Sequence, residues 1–145
     1  MKYTLTVFAC LCFGLVQAQL YQENFEEALA LADKNDKPMV LVFSGSDWCG
    51  PCIKLKRNIL DSKEFQTYAN SHYILYNADF PRKKKNQHPI DKLNANKVLA
   101  AKYNPRGYFP LVVVLDKECS VLGTTGFNKK ASPQEYIALL NGFVK

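Results

Sequence analysis

The sequence predicts an α/β fold: a central mixed β-sheet flanked by helices on both faces. Two observations predict it. Segments with a 3.6-residue apolar stripe alternate with short apolar runs of strand length, in the order helix, strand, helix, strand, helix, strand, strand, helix. The composition, 48% hydrophobic and 22% charged over 145 residues, is that of an ordinary globular chain. A chain of this size buries roughly two-thirds of its extended surface, so one compact domain folds without staples. There are no internal repeats and no low-complexity tract.

The elements follow in chain order. Residues 1–18, MKYTLTVFACLCFGLVQA, stand apart: Lys2 precedes an apolar run from Leu5 to Val16, and Ala18 offers a small residue for cleavage. That is the pattern of a secretory signal peptide, with the domain at 19–145 and the product secreted or periplasmic. The run is shorter than the ~20 residues a membrane span requires. A lipoprotein signal ending at Cys10 is the weaker rival, because bulky Phe8 stands in VFAC where a small or aliphatic residue is usual.

Asn24 then caps a helix with Glu27 three residues on, and Phe25, Ala28, Leu29 and Ala32 form its stripe. Pro38 ends it. MVLVF (39–43) is an uninterrupted apolar run, as suits a central strand covered on both faces. After Gly45 a helix opens at Cys49, with Cys52, Leu55 and Ile59 on one face. SKEFQTYAN (62–70) is helical and YILYNADF (73–80) is the second strand. A polar insert, PRKKKNQHPIDKLN (81–94), precedes a short helix near ANKVLAAKY (95–103). PLVVVLD is the third strand, DKECS a turn, and VLGTTGF the next strand. Ser132, Pro133 and Glu135 open the last helix as cap, first-turn proline and capping-box acid, and Tyr136, Ile137, Leu140 and Phe143 make its buried face.

SGSDWCGPCIKLK (44–56) carries the chemistry. Two cysteines at i and i+3 close so small a loop that their bridge adds little through unfolded-chain entropy, which disfavours a structural staple. A closed zinc site needs four ligands. Only Cys119, His72 and His88 could complete one, without a second CxxC or paired-His spacing, and both histidines read as solvated loop or helix residues. Thiol–disulfide exchange explains more. Cys49 sits where a helix begins, beside unpaired N–H groups that favour its thiolate. Gly50 permits the tight turn and Pro51 suits a first helical turn. Cys52, one turn in on the apolar face, is concealed, so an exposed attacker is backed by a shielded resolver.

WCGPC between a buried strand and a helix resembles the active site of the thioredoxin-like family, and SGSDWCGPC is similar to secreted bacterial members. YNPRGYFPLVVVLD (103–116) resembles the family's loop ending in a cis-proline before the third main strand, with Pro110 the equivalent. The resemblance covers nearly all of residues 24–144 and implies a thioredoxin fold. It implies Cys49 as nucleophile, Cys52 as resolving thiol, and a substrate strand paired with the backbone beside Pro110. Three departures stand out. The family's buried Asp, which helps deprotonate the resolving thiol, lies six residues before the first cysteine, where this chain has Phe43. Asp47 is nearer in sequence but reads as exposed. Phe109 precedes the proline where a small or β-branched residue is usual, which makes the substrate groove more apolar, and the insert around Arg82 to Lys85 is additional.

The implied function is an exported thiol–disulfide oxidoreductase that reduces protein disulfides. Its partners are disulfide-containing client proteins and a membrane electron donor, and it acts as a monomer. No flavin, nicotinamide or metal motif is present, so the chain's own sulfurs carry the electrons. The alternative is a partner-binding module of the same fold without turnover. Trp48 reads as a partly exposed contact platform at the lip of the site. Lys56 reads as a lysine snorkelling from the apolar arc, with stabilisation of a thiolate as the sharper role. Arg82–Lys85 reads as a solvated loop, or as a steering surface for an acidic partner; without interleaved aromatics it does not indicate nucleic acid, and neither does the net charge of +6. Cys119 reads as an inert thiol in a turn, with an intermolecular bridge as its alternative.

Overall fold

The computed structural model describes residues 20–145, so the leader read in residues 1–18 lies outside the described residues. Helix α1 (Phe25–Asn35) starts at Asn24, whose side chain accepts the Glu27 N–H at 2.8 Å, and ends at Asp36 in the left-handed region. Strand β1 (Met39–Ser44) is buried along its whole length. It pairs in parallel with β2 (Ile74–Asp79) and antiparallel with β3 (Leu111–Leu115). An antiparallel β4 (Val121–Thr125) completes the order β2-β1-β3-β4. A central strand with neighbours on both sides and helices above and below has no wet face, which is why MVLVF carries no polar alternation.

On one face of the sheet lie α2 (Gly50–Leu55), a π turn (Lys56–Leu60), α3 (Lys63–His72) and α5 (Pro133–Phe143). Their Leu55, Ile59, Leu60, Phe65, Ala69, Tyr136 and Leu140 pack on Val40, Val42, Leu75, Val112 and Val114. On the other face α1 and α4 (Ile90–Tyr103) cover Leu41, Phe43, Tyr76, Ala78 and Val113. Strand period two explains the division: even positions of β1 face α2, odd positions face α1. The π turn inserts one residue into the helical period, and within it both Ile59 and Leu60 are buried.

The helical and strand order matches the sequence reading. Within it, α4 starts at Ile90 rather than near Ala95. Pro89 sets the entry and Asp91 lies in the first turn, so the insert shrinks from 81–94 to 81–89, including a single 3-10 turn, Lys84–Asn86. The stretch DKLN is helical although no residue in it is fully buried, so it shows no apolar stripe. The second strand is one residue shorter at each end than expected. Among the described residues no helix is long and apolar enough to cross a membrane.

Asn96 ties α4 to β2 from a fully buried position: its Nδ2 donates to the Asp79 carbonyl at 3.1 Å and its Oδ1 accepts from the Tyr76 hydroxyl at 2.8 Å. Truncation leaves a carbonyl and a hydroxyl unpartnered in the core. Asn96→Ala is expected to lower stability by about 2–3 kcal/mol, read as a lower urea midpoint at unchanged slope.

Candidate active site

β1 ends at Ser44, and the chain turns through Gly45, whose carbonyl accepts the Cys49 N–H at 2.9 Å. Cys49 then stands as N-cap of α2 with extended backbone. Gly50 and Pro51 form the first turn and are exposed. Proline is tolerated there because its absent N–H would have had no helical partner. Cys49 and Cys52 form a disulfide with Cα atoms 5.2 Å apart, and Cys49 Sγ accepts the Cys52 N–H at 3.2 Å. The expectation of an exposed attacker over a concealed resolver is not met in this oxidised state: Cys49 is 5% and Cys52 4% exposed. The bond and the Cys52 N–H together hold the Cys49 sulfur down on the helix end. The two sulfurs differ instead in surroundings, since Cys52 lines a cavity of about 320 Å³ behind the disulfide.

The Phe109–Pro110 peptide bond is cis, and Pro110 lines the same cavity as Cys52. Phe109 is partly buried and packs edge-on against both Trp48 and Phe80, with ring centroids 5.4 and 5.8 Å away. Trp48 is therefore more than a platform. Its Nε1–H donates to the Phe80 carbonyl at 2.7 Å, the Arg82 guanidinium lies 3.9 Å above its ring, and the ring packs close against Gly45. A Cβ on Gly45 would stand 2.2 Å from the ring, so only glycine admits this seating.

The missing acid has a topological answer. Phe43 faces α1 and α4, away from the cysteines; the β1 side chains turned toward Cys52 are Val42 and Ser44. The parallel register places Ser44 opposite Asp79, which is 7% exposed and points into the cavity. Asp79 Oδ1 accepts from Ser46 N at 2.8 Å and Ser44 Oγ at 3.1 Å; Oδ2 accepts from Ser46 Oγ at 2.6 Å and lies 3.3 Å from His88 Nε2. Asn77 adds a fifth polar group on this face; its Oδ1 lies 2.8 Å from Ser44 Oγ and shares the single hydroxyl proton with Asp79 Oδ1. His88, read as a solvated residue, is thus half-buried at the cavity wall. Sequence reasoning missed Asp79 and His88. The available signal was Asn77 and Asp79 at alternate positions of an otherwise apolar strand, a polar stripe on one face.

Asp47 does not line that cavity. Its carboxylate accepts the N–H groups of Arg82 and Lys83 and the Asn86 side-chain amide, each at 2.9 Å. These bonds, the Arg82 N–H foremost, hold its carboxyl below the usual carboxylate range. Asp47 thereby fastens the basic insert to the active-site turn. Lys56 spans the cavity rim with its ammonium paired to Asp61 at 2.6 Å, the snorkelling geometry. Cys119 is a free, partly exposed thiol in a left-handed turn at φ 63°. Among the described residues no three His, Cys, Asp or Glu side chains converge as a metal site.

A carboxyl group whose folded pKa is depressed contributes stability above its unfolded pKa and loses it as pH falls through the folded value. Amide hydrogen exchange at Arg82 and Lys83 is therefore expected to accelerate as pH drops below the carboxylate range, after correction for the intrinsic exchange rate. Asp47→Ala should give the same acceleration at neutral pH while β1 and β2 stay protected.

The chain matches the thioredoxin-like family model over residues 19–117. It is 39% identical over 113 residues to the disulfide bond reductase DsbH of Chlamydia pneumoniae, covering 78% of this chain and 66% of that protein, just under two thirds of the relative's length. The solved structure of a DsbH oxidoreductase has a TM-score of 0.79 at 35% identity, covering 88% of this chain and 85% of the other. A thioredoxin from Thermus thermophilus shares the fold at 17% identity, with a TM-score of 0.61 over 86% of this chain and 87% of its own. With a family match across most of its length and a cysteine pair at the head of the helix that follows the central strand, the chain belongs to the thioredoxin-like family.

Proposed function

We propose that this protein is an exported thiol–disulfide oxidoreductase that reduces disulfides in client proteins. The observation that carries the reading is the Cys49–Cys52 disulfide on the first turn of α2, with the Cys52 N–H aimed at Cys49 Sγ. In the dithiol form that N–H favours negative charge on Cys49, making it the nucleophile. Its thiolate attacks one sulfur of a client disulfide; the client S–S bond breaks, the other client sulfur leaves and takes up a proton. Cys52 then loses its proton and attacks Cys49, re-forming the internal disulfide and releasing the second client thiol. Two electrons have passed from the cysteine pair to the client.

Trp48, Phe109 and Pro110 form the rim against which the client chain lies, with the backbone beside Pro110 pairing to it. The Gly50–Pro51 pair between the cysteines, and the similarity to a protein named a disulfide bond reductase, support reduction as the direction. Outside the cytosol the spent disulfide needs a membrane electron donor to reset it. Export rests on the apolar run from Leu5 to Val16 behind Lys2.

An insulin-reduction assay tests the activity. Cys49→Ser abolishes turnover, and Cys52→Ser accumulates a covalent adduct at Cys49 with a disulfide peptide; a partner-binding module would instead hold its ligand with both cysteines replaced. A reduction potential near that of thioredoxin, about −270 mV, supports reduction, whereas a value near about −120 mV would reverse the direction. N-terminal sequencing of the exported product should read from Gln19.

A further inference from the structure

We propose that His88, positioned by Asp79, accepts the proton of the Cys52 thiol when the mixed disulfide is resolved. This deepens the reductase reading above and rests on it. Cys52 is 4% exposed and lines the cavity behind the disulfide, so its proton must leave through groups that share that space. The titratable and charged side chains there are Tyr21 and Glu23 before α1, Lys56 after α2, Asp79 at the end of β2, His88 in the insert and Lys92 on α4.

Most of these are engaged or have the wrong chemistry. Burial pushes the Tyr21 phenol up, so it keeps its proton. Lys56 is paired to Asp61, and Lys92 lies 3.8 Å from Glu23; an ammonium donates and does not accept. The two Asp79 oxygens already accept from Ser44, from Ser46 twice, and from His88. Every other partner of that carboxylate is a donor, so in the neutral ring the proton sits on Nε2 and Nδ1 carries the lone pair. Cys52, His88 and Asp79 line one cavity, and the carboxylate fixes the ring's tautomer, a division of roles that general-base chemistry uses elsewhere. The cavity that Cys52 and His88 both line, about 320 Å³, is large enough to hold several waters.

The step balances. The Cys52 proton passes through water to His88 Nδ1, and the Cys52 thiolate attacks Cys49 Sγ. The Cys49–client bond breaks, the client sulfur departs with the electron pair, and the proton held by His88 returns through solvent to that thiolate. Asp79 is a positioning residue that touches no reacting atom.

His88→Gln separates this role from a structural one, because the glutamine amide can still donate to Asp79 but takes no proton. Capture of a disulfide peptide and release of its reduced product are timed separately by acid quench at a series of pH values from about 5 to 8. Release in H88Q is expected to slow by about 100-fold at neutral pH and to lose an inflection present in the unsubstituted protein, while capture changes little. His88→Ala, with release restored by added imidazole, gives the same conclusion should H88Q fail to fold. Release by H88Q with the original rate and pH profile overturns the proposal, as does an equal loss of capture and release with the inflection intact. Failure of the unsubstituted protein to reduce the peptide at all would sink the reductase reading instead.

Discussion

The site depends on one buried carboxylate being satisfied. Removing a charged group from water costs several kcal/mol unless hydrogen bonds replace its hydration. Asp79 meets that constraint with donors from three places: the last residue of the central strand, the turn that leads to Cys49, and the insert. Each donor is thereby held where the carboxylate needs it. The parallel pairing of β1 with β2 comes first, because it sets Ser44 opposite Asp79. A slip by one residue would turn Asp79 toward α1 and α4 and leave the active-site turn without its anchor.

A second aspartate works in the reverse direction. Asp79 reaches from the sheet to the turn, whereas Asp47 reaches from the turn to the insert, taking two backbone N–H groups and one side-chain amide. Trp48 adds a third tie through the Phe80 carbonyl and is capped by Arg82. The insert is consequently part of the wall of the site. Its position brings His88 to the cavity and leaves the side chains of Lys83, Lys84 and Lys85 exposed beside the rim.

The disulfide form conceals both sulfurs to a similar degree, so their roles are not distinguished by access in this state. They are distinguished by neighbours. Cys49 caps a helix and receives an N–H, which favours charge on it; Cys52 faces a partly apolar cavity in which a thiol keeps its proton until a base takes it. This asymmetry places the two sulfurs in different electrostatic surroundings.

The local signals in the chain were enough for the element order, the caps at Asn24 and Ser132, the uninterrupted apolar strand β1 and the cysteine pair at a helix start, because each is written within a few neighbouring residues. The buried faces of α2 and α5 followed from periodicity alone, Leu60 excepted, since a π turn has no sequence mark of its own. The proton route was not legible. Counting back from Cys49 led to Phe43, which the strand alternation turns to the opposite layer. The groups beside Cys52 come from a neighbouring strand and from a loop 36 residues further on, at His88. Only the register of a parallel pair, a contact between segments distant in the chain, decided that Asp79 and His88 stand behind the second sulfur.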